Sequence, residues 1–310
     1  MRLTRHRTQR VFQLLPSLVV VTMSVVLAPA IGEQPRVAAQ QPAAAYRGPS
    51  TLIDGLPPKV TAKAAAVIDG DTGALILNKN ANQRMAPASI TKILTALVTL
   101  QHADPKQRVI ARFDPDELDP DGTAMGLLPG DEVTVEDLLY GLMLPSGNDA
   151  ALVLARVVAG SEQEFVAMMN RAAALNGLNT TTFVNPHGLD APGHLTSAYD
   201  MAQIGRLAMR DPRFRTIARA RSWTVVGRRT YELTNRNPFL REYAGAEGIK
   251  VGWTEDAGAT IVASATRNGR RVIVALMDTG DRVGDSTALM DWAFGTLDGG
   301  RTPVAVTVSD

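Results

Sequence analysis

Thr260-Ile261-Val262-Ala263-Ser264-Ala265-Thr266, then Arg267-Asn268-Gly269-Arg270, then Arg271-Val272-Ile273-Val274-Ala275-Leu276-Met277 is the most legible stretch of this chain. Two apolar, β-branched runs flank an Asn-Gly pair, the composition of a tight hairpin, because Asn and Gly accept the positive φ such turns require. A second pair lies near the other end: Ala64 to Ile68 and Ala74 to Leu77 flank Asp69-Gly70-Asp71-Thr72-Gly73. Strands therefore cluster at both ends of the folded part.

The intervening sequence reads as helix. Ile93, Leu94, Leu97 and Leu100 recur at helical spacing, and Thr134-x-x-Asp137 and Ser161-x-x-Glu164 have the form of capping boxes that open two more helices. Asn176-Gly177 closes the second of these, and a last helix is expected over about Ser286 to Phe294. The terminal strands must pair to bury a common face. The expected class is α+β, a mainly antiparallel sheet covered by helices.

The chain has 310 residues, 45% of them hydrophobic and 20% charged, which is ordinary for a packed globule. A formal net charge of +1 supplies no field that would draw nucleic acid. Arg2, Arg5, Arg7 and Arg10 precede an apolar run from Val11 to Ala30 that ends Ala28-Pro29-Ala30. This reads as a secretory signal peptide over residues 1–30, with an uncleaved membrane anchor as the alternative. An Ala/Gln/Pro-rich linker follows over 31–58, then one domain over 59–298 and a tail over 299–310. The absence of cysteine excludes a disulfide framework, a Cys nucleophile and a Cys-based metal site. No metal or cofactor is expected, since His187 and His194 lack a metal-pair spacing and the acidic run Asp114 to Asp121 lacks the closing glutamate of a calcium loop.

Only six lysines occur, and one ends the chain's single Ser-x-x-Lys, Ser89-Ile90-Thr91-Lys92. A helix places residues three apart on one face, so Lys92 is set to deprotonate Ser89. From a reference pKa near 10.4, about one lysine in 2,500 is neutral at pH 7, and lowering the pKa to about 7 costs about 4.6 kcal/mol. Burial and a nearby cation supply such a shift, and Lys250 is the expected cation. Ser146-Gly147-Asn148 lies between predicted helices, with Asn148 or Asp149 as the expected N-cap. There Ser146 would relay a proton to the leaving amine, while Asn148 would position Lys92 and bind a substrate amide. Gly248-Ile249-Lys250-Val251-Gly252-Trp253 reads as an edge strand on which an extended peptide can lie, with Lys250 attracting its terminal carboxylate. Taken singly, each motif has an ordinary structural reading: a serine at a helix start, a helix connection, a solvated strand.

These three motifs in this order, with Ala86-Pro87-Ala88-Ser89-Ile90-Thr91-Lys92, Leu128-Pro129-Gly130-Asp131 and Asn185-Pro186-His187-Gly188-Leu189, resemble the low-molecular-mass D-alanyl-D-alanine carboxypeptidases, the penicillin-binding-protein-5-like serine peptidases. The resemblance runs from about Val60 to Thr279. It implies a five-stranded antiparallel sheet with flanking helices and a helical subdomain. It also implies an acyl-enzyme on Ser89, Lys92 as base, Ser146 and Asn148 in the second motif, Lys250 and Gly252 in the third, and an oxyanion hole from the backbone N–H groups of Ser89 and Trp253. The implied partners are peptidoglycan stem peptides and, as covalent inhibitors, β-lactams, with action outside the cytoplasm in the periplasm or wall. The family's C-terminal β-domain and amphipathic membrane helix are expected to be missing.

Val251 stands where the family usually has threonine. The lost hydroxyl is worth about 1.5–3 kcal/mol toward a charged group, and Thr254, Arg267, Arg270 or Arg271 are the candidates to compensate. Two other readings stay open. A β-lactamase would need a water-activating glutamate, but Ala172-Ala173-Ala174-Leu175-Asn176 has alanine at the position where class A enzymes have it. A non-catalytic wall-binding module would keep the groove without turnover.

Overall fold

A computed structural model describes residues 55–298 and 305–308. The signal-peptide reading and most of the linker lie outside the described residues. The main sheet is built from β1 (Ala64–Asp69), β2 (Leu75–Lys79), β7 (Ala246–Thr254), β8 (Gly258–Arg267), β9 (Arg270–Met277) and β10 (Val306–Thr307) in the order β10-β2-β1-β9-β8-β7. Every pairing is antiparallel except β10 with β2. Six strands replace the expected five because Val306 and Thr307, in the stretch read as a tail, pair with Leu77 and Asn78. A two-residue strand is too short for a pattern-based reading to fix its pairing.

The sheet is covered on both faces, which explains why its strands read as continuous apolar runs. Ala64, Ala66, Ile68, Val262, Ile273 and Ala275 pack into one cluster with the helical subdomain. Ala65, Val67, Ile261, Ala263, Val272 and Val274 pack into another with Leu289, Met290, Ala293 and Phe294 of α8 (Arg282–Asp298). This is the period-2 alternation of a strand, with both phases buried. The last helix is longer than expected at both ends. Asn268-Gly269 makes the β8–β9 turn, with φ +52° and +76°.

The subdomain comprises α1 (Lys92–His102), α2 (Val135–Met143), α3 (Asn148–Ala159), α4 (Glu162–Leu175), α5 (Ala198–Ala208) and α6 (Pro212–Arg219), with a short α7 (Phe239–Glu242) beside the sheet. Thr134 and Asp137 form the reciprocal capping box of α2. At α4 only half of one forms, Ser161 Oγ accepting from the Glu164 N–H at 3.2 Å. Two small antiparallel pairs escape a pattern-based reading: β3 (Arg108–Ile110) with β4 (Glu132–Thr134), and the hairpin of β5 (Ser222–Val226) with β6 (Thr230–Thr234). The latter docks through Trp223, which stacks on Tyr140 at 3.9 Å and donates to Asp137 Oδ1. No described helix is long and apolar enough to cross a membrane.

Candidate active site

Ser89 belongs to a 3-10 turn, Ala88–Thr91, that runs directly into α1. Ala88 before it has φ +52°, a strained value for a residue with a Cβ. The surroundings over-determine that strain. Thr91 Oγ1 donates to Ala88 O at 2.9 Å, and His194 Nε2 lies 2.9 Å from the same hydroxyl. His194 Nδ1 accepts the Val184 N–H, so the ring proton is on Nε2 and points to Thr91. Burial pushes the His194 imidazole down to about 4, which keeps this arrangement neutral. Gly188 approaches so closely that a Cβ there would lie 2.0 Å from Ala88 O.

Lys92 is fully buried, and its Nζ has three partners: Ser89 Oγ at 3.0 Å, Asn148 Oδ1 at 2.8 Å and the His187 carbonyl at 2.5 Å. A neutral amine has two N–H bonds and one lone pair. With both N–H groups committed to Asn148 and His187, the lone pair is left for the hydroxyl of Ser89. Burial first, and the charge of Lys250 second, hold the Lys92 ammonium well below its usual range, while Asp149 opposes the shift. His187 contributes its backbone oxygen to this set; burial and Lys92 push its own imidazole down to about 3.

Ser146 has φ +73° and lies two residues before the start of α3, next to its N-cap Gly147. Its Oγ is buried with no hydrogen-bond partner. The expected N-cap role of Asn148 or Asp149 is corrected: Gly147 is the cap and Asn148 the first helical residue, which frees the Asn148 amide to face Lys92. A cavity of about 480 Å³ opens beside Asn148, lined among others by Asp116, Leu118, Asp119 and Thr123.

β7 is an edge strand, next to β8 alone. Lys250 and Gly252 pair with Val262 and Thr260 and so point to the subdomain face, whereas Val251 pairs with Ile261 and packs with the apolar layer under α8. A Cβ on Gly252 would lie 2.7 Å from the Ser89 nitrogen, so glycine is required where the strand passes the Ser89 N–H. Thr260 Oγ1 fastens the two together by donating to Pro87 O at 3.0 Å. The Trp253 side chain is 64% exposed, on the phase of Val251.

Lys250 is the cation expected beside Lys92, weakened by its surroundings. It is buried, and burial, Arg236 and Arg282 push it down to about 7. The standing positive charge comes from those two arginines, which sequence reading missed. Arg282, at the start of α8, donates to Gly252 O at 2.6 Å and to Thr260 O at 3.2 Å. The candidates named to compensate for Val251 are engaged elsewhere: Thr254 donates to Asp190, Arg267 to Tyr243 and Asp291, Arg270 to Leu297 O, and Arg271 to Glu247. An arginine thirty residues from a motif carries no local sign of belonging to it.

Among the described residues no cluster of His, Cys, Asp or Glu could hold a metal. The segment Ala172–Leu175 forms the last turn of α4, closed by Asn176, with Leu175 81% exposed.

Comparison with known proteins places this geometry in context. The family model described as D-alanyl-D-alanine carboxypeptidase matches residues 53–281. The curated D-alanyl-D-alanine carboxypeptidase DacF of Bacillus subtilis is 36% identical over 251 residues, 75% of this chain and 62% of that protein. DacB2 of Mycobacterium tuberculosis is 36% identical over 246 residues, 76% of this chain and 84% of that protein. The chain thus spans less than two thirds of the length of several curated relatives. Among solved structures, a Streptomyces DD-transpeptidase aligns with TM-score 0.73 and 30% identity, covering 78% of this chain and all of that one. A D-alanyl-D-alanine carboxypeptidase from Mycobacterium tuberculosis gives TM-score 0.73 and 33% identity, covering 79% and 96%.

Proposed function

The chain belongs to the D-alanyl-D-alanine carboxypeptidase family, and we propose that it is itself a serine-type D-Ala-D-Ala carboxypeptidase that trims peptidoglycan stem peptides and is acylated by penicillins. The observation that carries the reading is the set of contacts around Lys92. A buried amine whose N–H groups are taken by Asn148 and His187 has nowhere to direct its lone pair except the hydroxyl of Ser89.

The substrate lies along β7 as an added strand, its peptide portion beside Asn148 and its terminal carboxylate toward Lys250, Arg236 and Arg282. Ser89 Oγ attacks the carbonyl of the penultimate D-alanine while Lys92 takes its proton, a base contribution of about 10²–10⁴ in rate. The oxyanion forms against the Ser89 and Trp253 N–H groups; one such donor is worth about 3–4 kcal/mol. The proton passes through Ser146 to the departing amine, the C–N bond breaks, and terminal D-alanine leaves. Water then attacks the ester and regenerates Ser89. The basic, apolar N-terminal segment supports export, so that this chemistry takes place on the wall, with the segment either cleaved or kept as an anchor.

Purified protein should release D-alanine from a peptide ending in D-Ala-D-Ala, and Ser89→Ala should abolish release. Equal release by the variant would remove Ser89 from the mechanism. Fast repeated hydrolysis of a chromogenic cephalosporin would favour the β-lactamase reading instead.

A further inference from the structure

The formal net charge of the chain is +1, yet residues 206–221 hold six arginines and a single acid, Asp211. Among the described helices, α6 alone carries more than one arginine. Its Phe214, Ile217 and Ala218 are buried, while Arg213, Thr216 and Arg219 are turned to solvent, and the exposed Arg210 and Arg221 flank its two ends. A helix divided in this way fixes one face in the core and presents the other as a basic surface.

Folding uses only part of this charge. Arg206 is buried and donates to the Asp71 and Thr72 carbonyls, Arg215 donates to Met209 O and Arg210 O at the end of α5, and Arg213 is paired with Asp211 at 2.6 Å. Arg210, Arg219 and Arg221 have no hydrogen bond or ion pair with a carboxylate among the described residues. Glu247, the acid whose charge is felt by Arg219, is already held by Arg271 at 2.7 Å. Like charges placed together repel, so the charge of these three does not stabilise the fold. The same helix borders the cleft. A Cβ on Gly248 would lie 3.0 Å from the Ala218 carbonyl oxygen, so the last turn of α6 touches β7 two residues before Lys250.

Resting on the reading of β7 as the strand along which the stem peptide lies, we propose that the outer face of α6, with Arg210, Arg219 and Arg221, docks the polyanionic wall strand that carries the substrate, through the carboxylates of stem peptides neighbouring the one in the cleft. Every uncrosslinked stem peptide ends in a carboxylate both before and after trimming, so a strand bearing many of them is a polyanion at each stage of processing. Guanidinium forks match carboxylates in geometry and stay charged throughout the physiological pH range. Single exposed pairs are weak and screened by salt. Several acting on one strand keep its next stem peptide near the cleft without holding any one of them tightly. An anionic membrane fits less well: the apolar side of α6 is buried in the core, and none of the exposed large apolar side chains, such as Trp253, Val226 and Leu175, lies within residues 206–221.

The test compares the unmutated chain with the triple variant Arg210→Gln, Arg219→Gln, Arg221→Gln in two assays. One is co-sedimentation with purified wall sacculi from which phosphate polymers have been removed; the other is D-alanine release from a short soluble peptide ending in D-Ala-D-Ala. At low salt the variant should sediment about tenfold more weakly. The two proteins should converge at about 1 M salt, where the Debye length falls to about 3 Å. Release from the soluble peptide should stay within about twofold, since none of the three arginines takes part in the reaction. Equal sedimentation of the two proteins at low salt overturns the proposal, as does sedimentation of the unmutated chain that salt leaves unchanged. Arginine-dependent binding to phosphatidylglycerol vesicles with none to the sacculi overturns it too, assigning the face to a membrane. Failure of the unmutated chain to release D-alanine from the soluble peptide would instead sink the proposed function, and the sedimentation result is read separately from it.

Discussion

At the scale of single residues, the site depends on lysines that are more useful than stable. Lys250 loses its proton near pH 7 in the folded chain and near 10.4 when unfolded. Between those values the unfolded chain binds more protons, so stability rises with pH across that window and is lowest at and below neutral pH. The buried charge costs about 5 kcal/mol there as an upper bound. Lys250→Met should therefore raise the melting temperature at pH 7 while slowing acylation by penicillin, and a lower melting temperature would contradict this account of its burial. Position 251 behaves differently. Because Val251 packs on the α8 side of the sheet, Val251→Thr should change kcat/KM for a D-Ala-D-Ala peptide by less than about threefold, whereas Arg282→Ala should lower it by about ten- to a hundredfold through loss of a charged hydrogen-bond partner. Steady-state kinetics on the two variants separates these outcomes. Ser89 and Lys92 could be paired from their three-residue spacing, whereas Asn148 was legible only as part of a short polar motif and meets Lys92 across 56 residues. Arg236, Arg282 and the carbonyl of His187 were not legible, because a backbone oxygen has no side-chain signature and a charge brought in by folding shows no periodicity.

At the scale of elements, what matters is how the edge strand is held against the Ser89 turn. Gly252 lies against the Ser89 nitrogen, Thr260 bonds Pro87 O, and the loop carrying Gly188 presses on Ala88 from the other side. Gly188 also has φ +91°, so Gly188→Ala combines backbone strain with a Cβ inside van der Waals contact of Ala88 O. Expected is a loss of about 3 kcal/mol in denaturant unfolding, together with acylation slowed well beyond what that loss explains. Unaltered acylation in a folded variant would mean that this contact does not set the nucleophile. The hairpins at both ends of the sheet could be read from Asn-Gly and Asp-Gly turns, which fix register locally. The three-residue strands β3 and β4 and the two-residue β10 could not, because pairing that short is decided by partners far away in sequence.

At the scale of the whole molecule, the sheet is completed by strands from opposite ends of the domain, and the closure is tied by one carboxylate. Asp285, in the first turn of α8, accepts from the N–H groups of Thr61 and Ala62 and from the hydroxyls of Thr61 and Thr279. Asp285→Ala strands several buried donors at once and should cost about 3 kcal/mol in thermal or denaturant unfolding; a loss under about 0.5 kcal/mol would show that the sheet closes without it. The α+β class followed from strands at the ends and helices between. That one domain buries both sheet faces became plain only when the two phases of each strand were seen to pack into different apolar layers.

The central claim is that a neutral amine at position 92 activates the hydroxyl at position 89. The most direct measurement is intact-protein and peptide mass spectrometry after exposure to penicillin across a range of pH. A single adduct on Ser89 should form, its rate rising with pH through a midpoint well below the ordinary lysine range, and it should be slowed by about 10²–10⁴ in Lys92→Ala. An adduct on another residue, or acylation of Ser89 at an undiminished rate without the lysine, would contradict the account.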